Sequence, residues 1–586
     1  GGAAGGVRPH FATGGVGHIR FWKISGHTMK SNKGVLGTKV PYKSKRANPF
    51  VTAISISPNE DTKESSCFLV GMHSGHIYVF VENQLKHKFI AHNAHGGGCG
   101  TLHAQAPKIG ASGDDKAYFV SGGADGEVIL WACGGKSKDP KEWEFEKLEN
   151  FNLQSSVSPR PKCHNIRSVC WDAAQGASDG CGLILVGTKG SEIYKLPVTA
   201  GHKIQKGDHG VKEVLSGHWA DEVWGLAPHP ILCDIVATSG DDSTVRIWKV
   251  AEDDHQPIAL GDLKTMGRAV AWDHTGMWLV VGLGGRLGRR NIRSRRKRRK
   301  RRKGAKKTQA GGGNEGDEPE EYDGSFMIFN TSTISSESQR SAAGDYVDLT
   351  PRHKNPTRLP HPSKGNDNLW ISDVKFTHNN KYVAFATHAQ RVFIYDSSVL
   401  GNGSGLLDDT KPELQCMWQC TGSSSAITHL DWSFHKDGGF FLQTNDLSYE
   451  ILRYFVPSPS QVKRKEGVIP HCEQKTQKHE YKDVDWHSYT IPLGWGVQGV
   501  WPSGADGSDI NAVDRSPSKS LVATADDFGD VKIFNYPCTT AGASCIVKMG
   551  HSSHIMNVRF NCDETALFTV GGNDRSVFKW KITKED

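Results

Sequence analysis

The chain has 586 residues, 37% of them hydrophobic and 23% charged, with a formal net charge of +8, and that length exceeds what one core can organise, so two or more domains are expected. Its thirteen cysteines, an odd number without a CxxC pair, exclude a disulfide scaffold and a paired-cysteine zinc site and match the usage of a reduced intracellular protein. No run of about 18 apolar residues is present to form a membrane helix.

In chain order, short alternating apolar strands recur, each entered through a turn of small and Asp/Asn residues and ending on an aromatic. The closing aromatics are Trp22, Phe80, Trp131, Tyr194, Trp248, Phe329, Tyr395, Tyr454, Phe534 and Trp580. The clearest copies read SGGADGEVILW at Ser121–Trp131, SGDDSTVRIW at Ser239–Trp248, ADDFGDVKIF at Ala525–Phe534 and GGNDRSVFKW at Gly571–Trp580. The spacing fits one four-stranded blade of about 40–45 residues per copy, lengthened by loop insertions. One such blade cannot bury both faces, whereas blades stacked around a ring can, with the aromatic filling the space between neighbours. The pattern predicts an all-β fold of tandem WD40-type β-propellers.

Ten copies exceed the usual limit of about eight blades per ring, so two rings are expected. The boundary is placed near Lys212 to Ser216. Residues 1–213 are then the C-terminal part of a first propeller, with about four blades. Residues 214–586 form a second propeller of six blades, or seven if a diverged copy lies between Tyr454 and Phe534. The first copy lacks its opening strands and the chain starts on GGAAGG rather than Met, so a fragment with an incomplete first propeller is the expectation.

Two copies carry a finer signature. Gly217-His218 precedes Asp242 and Trp248 by one blade, and Gly550-His551 precedes Asp574 and Trp580 in the same way; Asp125 and Trp131 hold the equivalent turn and strand positions in an earlier copy. A loop His, a turn Asp, a strand Ser or Thr and an indole N–H can satisfy one another, and each would be costly buried alone. These residues read as scaffold, not as metal ligands or bases.

Charge is concentrated in one place. Fourteen of the 71 Lys and Arg residues lie within residues 289–307, leaving 57 against 63 acidic residues elsewhere. They are Arg289, Arg290, Arg293, Arg295, Arg296, Lys297, Arg298, Arg299, Lys300, Arg301, Arg302, Lys303, Lys306 and Lys307. An acidic run follows, so residues 289–324 form a basic/acidic insert between two strands, and a like-charge block of that density is expected to be disordered. Three roles fit it: a solvated loop, attraction to an acidic polymer, or a nuclear localisation signal. A second, polar insert spans 457–482.

No catalytic constellation is present. GLILVGTK at Gly182–Lys189 has the wrong final order for a phosphate loop and runs through a strand. Asp241-Asp242 and Asp526-Asp527 resemble paired carboxylates but occupy repeat turns. No cofactor or small-molecule substrate is expected.

Seven segments are far more specific than a generic WD pattern: GHWADEVWGLA at Gly217–Ala227, ITHLDWS at Ile427–Ser433, YEILRY at Tyr449–Tyr454, GVWP at Gly499–Pro502, GSDINAV at Gly507–Val513, TADDFGDVKIFNYPC at Thr524–Cys538 and GHSSHIMNVRF at Gly550–Phe560. On these the chain resembles the echinoderm microtubule-associated protein-like family, in order from about Ala12 to Ile582. The resemblance implies a tandem pair of atypical propellers in a non-enzymatic cytoskeletal protein that engages tubulin or the microtubule lattice. It implies a place in the cytoplasm and cytoskeleton, with other microtubule-associated proteins as further partners; ciliary or axonemal microtubules are a further expectation for a rigid chain of this kind, and no membrane contact is expected because no long apolar run is present. The family's hydrophobic motif and coiled-coil region are absent from these residues, and both inserts are larger than its pattern suggests. The rival expectation is a WD-repeat scaffold of a nuclear or ribonucleoprotein complex whose basic loop touches nucleic acid. No aromatic interrupts Arg289 to Lys307 to stack on bases, which argues against that contact.

Overall fold

A computed structural model describes residues 10–37, 49–56, 67–93, 98–105, 116–134, 140–157, 163–172, 180–206, 210–250, 255–285, 322–334, 347–360, 369–401, 413–435, 438–461, 465–481, 483–506 and 509–583. Their strands form ten sheets, antiparallel except where the two-residue strand Val347–Asp348 adds in parallel to one edge, one for each closing aromatic. Eight of these aromatics sit on the third strand of a sheet with four or more strands, and all eight are buried. Trp22 and Trp580 lie in the two three-stranded sheets and are only half-buried.

Local chemistry explains why the sheets are alike. Nine sheets begin with an inner strand whose register slips after its first residue, as at Phe50/Thr52, Val223/Gly225 and Ile555/Asn557. That bulge adds local twist, which each sheet needs to fan away from an axis. The turn from the second strand to the third holds a left-handed residue at its last or next-to-last position: Gly75, Gly126, Ser191, Ser243, Gln390, Tyr449, Gly529 and Arg575 all have φ between 57° and 85°.

The chain separates into two compact units, the first ending at Trp219 and the second starting at Ala220. In the first unit four sheets follow one another, ending with the sheet built on Ile166–Asp172. The expected boundary after residue 213 is corrected by a few residues. Lys212–Ser216 pairs with Glu192–Lys195 as the outer strand of that fourth sheet, so the cut cannot fall inside it.

The second unit contains six sheets among the described residues. Their inner strands are Val223–Pro228, Gly267–Trp272, Ile371–Phe376, Ile427–Trp432, Ile510–Arg515 and Ile555–Phe560. Apolar clusters fill the spaces between the first and second, second and third, third and fourth, and fifth and sixth of these sheets, and beside the fifth the core is completed by Tyr489, Val497 and Val500 of the segment that precedes it. The last sheet packs on the first, joining Phe568 and Val570 to Val223, Leu226, Val236 and Trp248, so the unit closes as a propeller.

The interval that left room for a seventh blade holds something else. Glu473–Gln474, inside the expected polar insert 457–482, pairs with Tyr454 and Phe455 as the outer strand of the fourth sheet, and Cys472 is buried there. The spacing to Phe534 is long because a segment with a short helical turn at Trp495–Val500 bridges to the next sheet. The basic/acidic insert also ends earlier than residue 324. Asp323 is buried, and its carboxylate accepts from Gly285 N at 3.0 Å and Leu369 N at 3.3 Å.

Candidate docking face

One backbone hydrogen bond recurs in all six sheets of the second unit. The residue after the second strand donates its N–H to the carbonyl just before the inner strand: Asp241 to Glu222, Gly284 to Met266, His388 to Trp370, Leu447 to Ala426, Asp527 to Asp509 and Gly572 to His554, at 2.9–3.0 Å. The second-to-third turns and the entries to the inner strands therefore share one face of the propeller. Loops on a rigid scaffold of this kind are where binding residues collect.

A cation and two indoles lie at the inner edge of that face. Arg268 sits 4.3 Å from the Trp224 ring centroid and 4.1 Å from that of Trp370, and pairs with Asp241 at 3.0 Å. Trp370 stacks in turn on His388, with centroids 5.1 Å apart. Burial pushes the Asp241 carboxyl up to about 6, partly offset by Arg268, and burial together with Arg268 pushes His388 down to about 4. Stacked between two rings and paired, the guanidinium is held rigidly.

Farther out, the same turns expose apolar side chains. Leu447 is 58% exposed and Tyr449 55%, both in the fourth sheet's turn, and Phe528 is 73% exposed in the fifth sheet's turn. Trp495, 70% exposed, follows Gly494, which lies against Ile451 at the start of the strand leaving the Tyr449 turn. Tyr449 has φ 62°, where sister turns place Gly75, Gly126 and Gly529. A bulky residue held in that region is a strain worth a functional reading. Tyr449→Gly is expected to raise stability by about 0.5 kcal/mol, the left-handed penalty less the extra backbone entropy of glycine. Urea unfolding checks this; a stability loss would mean that the ring is packed rather than displayed.

The fourteen basic candidates, Arg289 to Lys307, lie outside the described residues. The described residues on either side of them are Gly285 and Tyr322, and the Gly285–Asp323 hydrogen bond ties both roots to the same face as Tyr449 and Phe528.

The channel wall carries charges that answer one another. Lys375 Nζ lies 3.0 Å from Asp373 and 3.3 Å from Asp431, and also donates to Leu430 O and Thr490 Oγ1. Against the upward push of burial, Lys375, Ser488 and the N–H groups of Thr490 and Ile491 hold Asp431 below the usual carboxylate range. Asp514, facing Arg559, is pushed up to about 6 by burial. These groups are engaged in holding sheets together.

The scaffold reading of the signature residues can be followed bond by bond. His551 binds Asp574 at 3.0 Å and Thr569 at 2.8 Å, and Trp580 Nε1 donates to Thr569 at 2.9 Å. Asp125 and Trp131 form the same set with a residue that the sequence reading missed. His92 bonds Asp125 at 3.1 Å and Ser121 at 2.8 Å, while Trp131 donates to Ser121 at 2.9 Å. His92 follows Ala91 rather than a glycine, which hid it. His92, Asp125 and Glu127 present converging metal-ligand atoms, but both His92 nitrogens are already used within the set. His218 is fully buried near the end of the first unit. In the second unit, Trp248 donates to Thr238 at 2.7 Å and Asp242 accepts from the Thr244 hydroxyl at 2.8 Å.

The chain is 27% identical over 575 residues to echinoderm microtubule-associated protein-like 1 of Homo sapiens, covering 97% of this chain and 52% of that protein. It is 27% identical over 569 residues to the human protein-like 2, covering 97% of this chain and 65% of the relative. Protein-like 3 of Mus musculus is 27% identical over 583 residues, with 97% and 50% covered. The chain thus spans between half and two thirds of the length of these relatives. Residues 223–582 match the family model described as the echinoderm microtubule-associated protein second beta-propeller, and the chain belongs to that family.

Proposed function

We propose that this chain is a non-enzymatic microtubule-associated protein that docks on tubulin or the microtubule lattice through the turn face of its second propeller. Three relatives are named for microtubule association. The observation that carries the choice of face is the coincidence of Leu447, Tyr449, Trp495 and Phe528, exposed on one side, with the roots of the basic insert on that same side. Exposed aromatics of this kind supply anchors with little entropy to lose. Arg289 to Lys307 add long-range attraction to an acidic surface, which salt screens. Cytoskeletal residence follows from that activity, and placement in ciliary or axonemal microtubules is part of the proposal, checked by imaging the tagged chain against an axonemal marker.

Co-sedimentation of the chain with taxol-stabilised microtubules tests the reading. Deleting residues 289–307 is expected to weaken binding about tenfold near 50 mM salt, with the gap closing toward 0.5 M. Unchanged affinity at low salt removes the insert from the mechanism. Loss of binding in W495A with F528A, at unchanged melting temperature, supports the face; unchanged binding by that double variant contradicts it.

A further inference from the structure

Within the second propeller every consecutive pair of sheets is joined through the chain except one, the first and the last. Among the described residues that seam is held by the apolar contacts of Trp248, Phe568 and their neighbours, by the His554–Glu222 contact at 3.4 Å and by hydrogen bonds from Asn557 to Trp224 O at 3.3 Å, Asn561 to Cys233 O at 3.2 Å and Lys579 to Val250 O at 2.6 Å. The last sheet has three strands among the described residues, and its third, Val577–Lys581, pairs on one side only. At the seam stand two thiols. Cys233 lies in the loop between the first and second strands of the first sheet, Cys562 occupies the corresponding loop of the last sheet, and their Sγ atoms are 2.7 Å apart although 329 residues separate them in sequence. Both are half-exposed, so small oxidants reach them.

We propose that Cys233 and Cys562 are an oxidation site whose disulfide closes the propeller ring covalently. The geometry asks for little backbone movement, because the sulfurs already touch and the Asn561–Cys233 hydrogen bond holds the two loops in register. A cross-link between residues this far apart constrains the unfolded chain strongly, so closure stabilises the seam where no peptide bond crosses it. Burial, with Cys562 and Asp563 beside it, pushes the Cys233 thiol up to about 12. Oxidation can start at either thiol and runs the same way through Cys562. Its sulfur attacks one peroxide oxygen, giving a sulfenic acid and releasing water. Cys233 then attacks that sulfur, the S–O bond breaks, the S–S bond forms, and the thiol proton leaves with the hydroxyl as a second water. Each peroxide takes two electrons from the thiol pair. A small thiol returns the pair to the reduced state by exchange.

The test uses the whole chain, reduced, desalted and treated with hydrogen peroxide at one to a few equivalents. The expected result is the loss of two of its thirteen thiols, a mass lower by two hydrogens, a peptide cross-link joining Cys233 to Cys562, and a melting transition several degrees higher that dithiothreitol reverses. C562S and C233S should fold as the reduced protein does and show neither cross-link nor shift. A cross-link between other cysteines instead, thiols that survive treatment, or an equal melting shift in C562S each overturns the proposal. If either serine variant fails to fold, C562A replaces it with the same readouts, and a cross-link formed without any melting shift contradicts the stapling role.

Discussion

Replacing Asp431 with Ala is expected to destabilise the second propeller by about 3–5 kcal/mol, the usual cost of removing one partner from a buried charge pair. Asp431 is fully buried on the inner strand of the fourth sheet, and Lys375 reaches it from the third at 3.3 Å. The carboxylate also accepts from Ser488 Oγ at 2.7 Å, Thr490 N at 2.9 Å and Ile491 N at 3.2 Å. One side chain therefore ties two sheets to the segment that leads to Trp495. Without it, Lys375 loses its partner on the fourth sheet and keeps Asp373 at 3.0 Å, and two backbone N–H groups lose their acceptor. D431N keeps the shape and some acceptor capacity and should cost less than D431A. Urea unfolding measures both, and a loss below about 1 kcal/mol for D431A contradicts this account of the network. Because the 488–491 segment positions Trp495, D431A should also weaken microtubule co-sedimentation at temperatures where the fold survives.

The second large effect is with pH. Burial pushes His388, His429 and His487 each down to about 4. His487 packs against His274, with ring centroids 4.9 Å apart, and burial lowers His274 and His378 as well. In the unfolded chain these rings titrate near pH 6.5. Between about pH 6.5 and 4 the unfolded state binds more protons than the native state, so stability falls as pH falls through that window. Asp241 and Asp514 act in the opposite sense. Their folded values near 6 mean that the native state holds the extra proton between about pH 4 and 6, which adds stability as pH drops. Three strongly shifted histidines outweigh two carboxyls, and the expected net loss from pH 7 to 4.5 is roughly 3–5 kcal/mol. Urea midpoints across that range measure it, and H487Q should flatten the slope by removing one proton-linked group. A midpoint that holds steady from pH 7 to 5 would be inconsistent with neutral, buried imidazoles.

Much of the docking face was outside the reach of sequence reading. The turns that carry Leu447, Tyr449 and Phe528 were recognisable as turns, but nothing in the residues said which would display apolar side chains together. Asp241 was read as a turn residue and proves also to be Arg268's partner, because the entry to the second inner strand lies against the first sheet's turn. The basic insert was fully legible as charge, and the face on which it is rooted was not.

The sequence by itself determined the ten strands that end on a closing aromatic and the turns that lead into them, since alternation with period two and turn chemistry act over a few neighbouring residues. It also carried the His551–Asp574–Trp580 set, whose spacing lies within one repeat. What only the tertiary structure decided are the contacts between repeats: Lys375 with Asp431, 56 residues apart, the strand Glu473–Gln474 recruited from a polar insert, and Cys233 against Cys562 across the seam. Their partners are chosen by the circular stacking of sheets, and a ring brings its two ends together at a distance that no local pattern encodes.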